Sequence, residues 1–367
     1  MGRTEQLKTV FALIFINLSL AIVNILYKKV IDGGTNHMAI VTYRQLIAAI
    51  FLAPIACYRE RKSRPKITFQ ILFYIFLGAL LGITMAQYLF LWGLELTSAS
   101  FACAFLNMVP ADTFILALIF GLEKVNLKSK AGRTKVLGVL ICMSGAILLT
   151  LYKGLPLNHP RPHPRPQDIH INYFDLRTLD REKHNWIIGS LFLFGGCLLW
   201  SSWFPIQAKI GAIFPCQYSS TAILSSFAAI QSACVTLILD RNISVWIFKG
   251  KWEIITIVFA GVVGSGLCYV GMSWCVKQRG PVFTAAFTPF AQIFAAMLDF
   301  SFLHGQIYIG SIIGSVLVII GLYTLLWGKC MEAEECVGKQ NVAKGDEKGD
   351  VELQLEPVNI NSTSLKQ

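Results

Sequence analysis

Charge is scarce in this chain. Only 14% of its 367 residues are Asp, Glu, Lys or Arg, against about 25% in a typical soluble domain. The net charge of +11 sits on short loops between long uncharged runs, so it implies no basic domain surface and no nucleic-acid partner. Its simpler use is membrane orientation and contact with lipid headgroups. The ten cysteines contain no C-x-x-C pair and lie mostly within apolar runs, where cysteine behaves as a small hydrophobe. Four of the six histidines, His159, His163, His170 and His184, fall in one irregular stretch without metal-ligand spacing. No glycine-rich loop follows a strand, and no nucleophile, base and orienting acid are grouped. The chain is therefore expected to be no enzyme, and to use no metal and no cofactor.

Apolar length is what the chain has instead. Ten spans are predicted, at roughly 9–27, 38–58, 69–92, 97–120, 135–152, 185–206, 215–239, 253–275, 282–304 and 306–328, each about as long as a helix that crosses a bilayer. The expected fold is all-α and integral to the membrane. The stretch 153–184 is rich in Pro and His (NHPRPHPRPQDIH) and reads as a non-cytosolic irregular linker between residues 1–152 and 185–328. Residues 329–367 carry eight acids and no apolar run, and read as a disordered cytosolic tail. In the first half, one set of alternate loops holds 12 Lys and Arg and the other set two, Lys28 and Lys29. The rich set belongs inside, which places both termini in the cytosol.

The two halves repeat one order of features: a span, a short turn, a span with an internal proline (Pro110 or Pro289), then a glycine-rich last span. Five spans per half is odd, so the copies are expected to be inverted relative to each other, the arrangement of many transporters. Pro110 and Pro289 each remove a backbone donor and should free a carbonyl near Leu106 and Ala285. A freed carbonyl in the membrane belongs where it is buried or lines water.

Helical spacing gathers polar residues onto inward faces. Asn17 and Asn24 share one face of the first span, Thr84, Gln87, Leu91 and Glu95 one of the third, and Asn107 one of the fourth. Trp200, Trp203 and Gln207 share a face of the sixth, and Thr288, Gln292 and Asp299 one of the ninth. Such faces avoid lipid. A cavity of amides, hydroxyls and indoles suits a small zwitterion or weak organic acid, with Asn17, Gln87, Asn107, Pro110, Trp203, Gln207, Pro289 and Gln292 as candidate contacts; helix–helix packing explains any single one equally well. Arg44, Glu95 and Asp299 lie at similar depth near the outer side, as a gate or ion pair, or with Arg44 binding a substrate carboxylate directly. Asp112, near mid-membrane and turned away from Asn107, is a candidate proton site or a packed neutral acid.

The segments VTYRQLIA (41–48), NMVPADTFILALIFGLEKV (107–125), RGPVFTAAFTP (279–289) and GLYTLLWGK (321–329) resemble the plant drug/metabolite transporters of the EamA type, the nodulin-related, walls-are-thin-like (UMAMIT) proteins. The resemblance spans residues 7–329. It implies ten helices, a cavity between the repeats, facilitated or exporting transport of amino acids or auxin-like solutes, and a plasma-membrane or vacuolar location. The expected partners are a small-molecule substrate and membrane lipid, with the protein a monomer or homodimer. The alternatives are a carrier of sugar phosphates or nucleotide sugars on the same fold, which should aim lysines at phosphate, and a non-transport receptor or structural protein. The chain departs from the family pattern at Gly305, where the second repeat usually carries a glutamate matching Glu123, and at Asp112, where an apolar residue is commoner.

Overall fold

Apolar runs in this chain become helices because a buried or lipid-facing backbone must satisfy its own hydrogen bonds. The computed structural model describes residues 3–31, 37–62, 64–97, 102, 105–123, 126, 128–151, 176–239, 246–248, 250–303, 313–314 and 316–332. Among these there is no strand. The helices are α1 (Arg3–Ile31), α2 (His37–Arg59), α3 (Phe69–Leu96), α4 (Val109–Ile119), α5 (Lys130–Leu151), α6 (Leu176–Ile213), α7 (Gln217–Leu239), α8 (Lys251–Arg279), α9 (Pro281–Ala285), α10 (Thr288–Leu303) and α11 (316–332). Six of them, α1, α2, α3, α6, α7 and α8, hold apolar stretches of 21 to 29 residues, long enough to cross a membrane.

Three boundaries differ from the sequence reading. Helix α6 begins at Leu176, inside the segment expected to be irregular linker. The fourth and ninth spans are not continuous: turns at 107–108 and 286–287 interrupt them. The prolines also sit elsewhere than expected. Pro110 occupies the first turn of α4 and Pro289 the second position of α10. A missing N–H there costs nothing, because first-turn donors have no intrahelical partner. The two interruptions share one bonding pattern. Met108 N donates to Phe105 O and Ala111 N to Met108 O; Phe287 N donates to Thr284 O and Phe290 N to Phe287 O. These i→i+3 bonds tighten the chain just before each proline.

A second matched feature was not anticipated. Helix α3 contains a π-helical segment, Leu80–Met85, and α8 contains another, Ala260–Leu267. Each lies near the middle of its helix and includes glycine. Gly82 lets the backbone of α3 meet α6: a Cβ there would stand 2.7 Å from Trp203 Cβ.

The halves interdigitate. Helix α2 packs on α7, α3 on α6, α4 on α6 and α9, while α1 packs on α8 and α10. Most of these pairs come in exchanged sets: α3 on α6 matches α8 on α1, α4 on α6 matches α10 on α1, and α3 on α7 matches α8 on α2. Apolar attraction between helices is weak in lipid, so close backbone approach matters more. Helices α5 and α11 meet through glycine: a Cβ on Gly138 would lie 2.9 Å from Gly321 O, and one on Gly321 would lie 2.9 Å from Gly138 O.

One side of the bundle is tied by polar contacts. Glu60 accepts hydrogen bonds from Tyr218 N (3.0 Å) and Ser219 N (2.7 Å), capping the start of α7. Nearby, Lys277 Nζ donates to Pro215 O at 3.4 Å. Gly280 turns the chain at φ 86°, and a Cβ there would stand 3.9 Å from Glu123 Oε1. Glu123 pairs with Lys329 and, at 3.5 Å, with Lys135, whose Nζ also bonds Glu332 at 2.7 Å. Lys135 is 1% exposed. Gly305 and the tail beyond 332 lie outside the described residues.

Candidate functional site

A cavity of about 330 Å³ opens between the halves, lined from α1, α2, α3, α6, α8, α9 and α10. Its residues on the two long broken helices start at the π segments: Ala86, Gln87, Phe90 and Leu91 follow the first, and Gly264, Ser265, Tyr269 and Met272 lie within or after the second. A π turn inserts extra chain into the helix and re-aims every side chain beyond it. That is why Thr84, expected on the face of Gln87, turns away. Its hydroxyl donates to Gln231 Oε1 on α7 at 3.0 Å, and the residue is fully buried.

The structure brings together only some of the predicted contacts. Asn17, Gln87, Gln292 and Arg44 line the cavity. The Asn17 amide is oriented by donation from Nδ2 to Leu13 O at 2.7 Å. Trp203 and Gln207 are buried in the core behind it. Trp203 stacks on the lining residue Trp200, with ring planes 10° apart, and meets Tyr269 at 5.7 Å. Asn107 is buried, and it and the prolines Pro110 and Pro289 stand beside the cavity without lining it, whereas Leu106 and Thr288 do line it. Asp112 is buried in α4, its Oδ2 without a hydrogen-bond partner, and does not line the cavity.

The expected pairing of Arg44 with Glu95 does not form: Glu95 is exposed, and no ion pair joins the two. The side chain of Asp299 lies outside the described residues. Arg44 instead places its guanidinium 5.8 Å from the centroid of the Tyr27 ring. Its Nε and Nη2 are buried with no partner among the described residues, as are Tyr27 Oη, Gln87 Oε1 and Ser265 Oγ.

Sequence reasoning missed Tyr27, Ser265, Tyr269 and Thr284 as lining residues. The signal for Ser265 and Tyr269 was the glycine-dense run AGVVGSGL, where a helix of 3.6-residue period is least secure. Tyr27 sits three residues beyond Asn24 on α1 and was legible from spacing alone.

Relatives of known name agree with this architecture. The EamA-like transporter family matches the chain twice, over residues 7–151 and 187–327. A WAT1-related protein of Arabidopsis thaliana is 47% identical over 361 residues, covering 98% of this chain and 97% of its own. A second is 51% identical over 331 residues, covering 90% and 89%. The Arabidopsis thaliana protein WALLS ARE THIN 1 is 34% identical over 363 residues, covering 98% and 92%. A solved crystal structure shares the fold with a TM-score of 0.62 at 13% identity, covering 90% of this chain and 100% of its own. A twofold family match, six bilayer-length helices and relatives of equal length together make this a multi-pass integral membrane protein, and the chain belongs to the EamA-like transporter family, among the WAT1-related proteins.

Proposed function

We propose that the protein carries amino acids or related small organic solutes, auxin-like acids included, across a membrane by alternating access between two inverted five-helix repeats. The repeats are residues 1–152 and 185–328, ten spans in all. The observation that carries this reading is the cavity between the halves, walled by amides, hydroxyls and aromatic rings. The exchanged helix pairs and the twin breaks before Pro110 and Pro289 support it, because a transporter needs two arrangements of similar energy and symmetry supplies them. A sugar-phosphate carrier is less well matched. No lysine among the described residues lines the cavity, and Lys209 Nζ sits over the Phe120 ring at 4.7 Å instead.

The proposed location is the plasma or vacuolar membrane, with both termini cytosolic. The polar ties from Glu60 to Lys329 then close the cytosolic side, and Arg44 marks the outer end of the cavity. Purified protein in liposomes is expected to give saturable flux of at least one labelled amino acid or organic acid. No flux across a broad panel, at either of two pH values, would sink the proposal. Asp112 is proposed as a proton-carrying carboxyl, buried in the first turn of α4 with its Oδ2 unpartnered. Asp112→Asn is expected to flatten the pH profile of flux while leaving membrane abundance unchanged; an unaltered profile removes the role.

A further inference from the structure

We propose that Arg44 is the recognition group for a substrate carboxylate, and that the cavity selects organic monoanions over zwitterions and cations. This rests on the transport reading above and narrows it. Among the described residues Arg44 is the one charged group in the lining: no Asp, Glu, Lys or His accompanies it there. A guanidinium stays cationic at any physiological pH. Here it has no counter-charge among the described residues, and two of its nitrogens are buried without an acceptor. The Tyr27 ring over the guanidinium offers a partial negative face, which weakens the cost of burial and does not neutralise the charge. A cation with buried, unsatisfied donors is an expensive feature to retain unless something arrives to pair with it.

The geometry favours a carboxylate. The planar fork of Nε and Nη2 presents parallel donors that a carboxylate accepts in two bonds. Tyr27 Oη and Ser265 Oγ, both free to donate, face the same cavity. A phosphate dianion would leave its second charge unmatched, since no other cation among the described residues lines the space. Among the described lining residues an ammonium would find only neutral acceptors, such as Asn17 and Gln87, and no carboxylate. The remaining wall, with Leu20, Phe90, Trp200 and Met272, accepts an apolar or aromatic body. The rival role is a gate in which Arg44 pairs with Asp299.

The test uses the full-length protein in nanodiscs with four probes that share one phenyl body: phenylacetate, phenylacetamide, phenylethylammonium and phenylalanine. Phenylacetate is expected to bind at least about tenfold more tightly than each of the others. Arg44→Gln should erase that margin and leave phenylacetamide binding as it was, which also shows that the variant is folded. Arg44→Lys should keep part of the margin, and Asp299→Asn all of it. Equal binding of acid and amide by the unaltered protein overturns the proposal without recourse to any variant. So does a margin that survives Arg44→Gln, or one that Asp299→Asn abolishes. Flux in liposomes separates the two readings. Carboxylate-selective binding without flux of any probe leaves Arg44 in its role and defeats transport. Flux without preference for the acid defeats the role of Arg44 alone.

Discussion

At the scale of the residue, burial decides what a charge is for. Lys135 belongs, by sequence, to a basic loop cluster between the fourth and fifth spans, one of five Lys and Arg that the positive-inside rule assigns to the cytosolic side. In the folded protein it is buried and held between Glu123 and Glu332. A charge withdrawn from water stays ionised through its partners, so removing one partner is costly. Glu123 serves two cations, Lys135 and Lys329. Glu123→Gln is therefore expected to destabilise the protein by about 3 kcal/mol. Lys135→Met should cost less, because it removes the buried cation itself and leaves Glu123 paired with Lys329. Thermal unfolding of both variants in one detergent checks the order; the reverse order would mean that the cluster is a surface feature of little weight. Arg44 follows the same logic with the opposite outcome, since two of its nitrogens are buried without an acceptor and no carboxylate among the described residues pairs with it.

At the scale of the element, prolines were the most legible signal and were still misplaced. The sequence shows where helices four and nine break, because nothing else explains a proline in each. It does not show that the break precedes the proline, since that depends on the i→i+3 bonds at Met108 and Phe287, which no residue type dictates. The consequence is measurable. Relieving a proline in a helix interior returns about 3 kcal/mol. Pro289→Ala, at the second position of α10, is expected to shift stability by less than about 1 kcal/mol. A gain of several degrees in unfolding temperature would restore the mid-helix reading. The π segments were not legible at all. Helical periodicity assigned Thr84 to the face of Gln87 because a 3.6-residue rule has no place for inserted chain. Asn17, Gln87, Gln292 and Trp200 were found by that rule, and all four line the cavity. Tyr269 and Ser265 were lost to it, being beyond or within the second π segment. Arg44 was read as half of a pair, because charge and depth are visible in a sequence and the distance to a partner is not.

At the scale of the whole molecule, the two halves share every feature that positions the cavity: a π-broken long helix, a helix interrupted before proline, and a contact set that exchanges between them. They differ in what they place there. Among the described residues the first half contributes the lone cation, and none of the second half balances it. That imbalance has an electrical consequence. With an organic anion bound the cavity is neutral, and empty it carries one positive charge. A membrane potential of 100 mV acts on a unit charge with about 2.3 kcal/mol across the full field, and on Arg44 with whatever fraction of the field its two positions span. The loaded protein reorients without feeling the voltage; the empty one does not. Exchange of labelled for unlabelled anion should then be insensitive to an imposed potassium-diffusion potential, while net uptake, which requires the empty site to return, should change with its sign. Equal voltage dependence of the two fluxes would place the moving charge elsewhere. A single unpaired guanidinium thus makes the resting protein, rather than the working one, the part of the cycle that the cell's membrane voltage can drive.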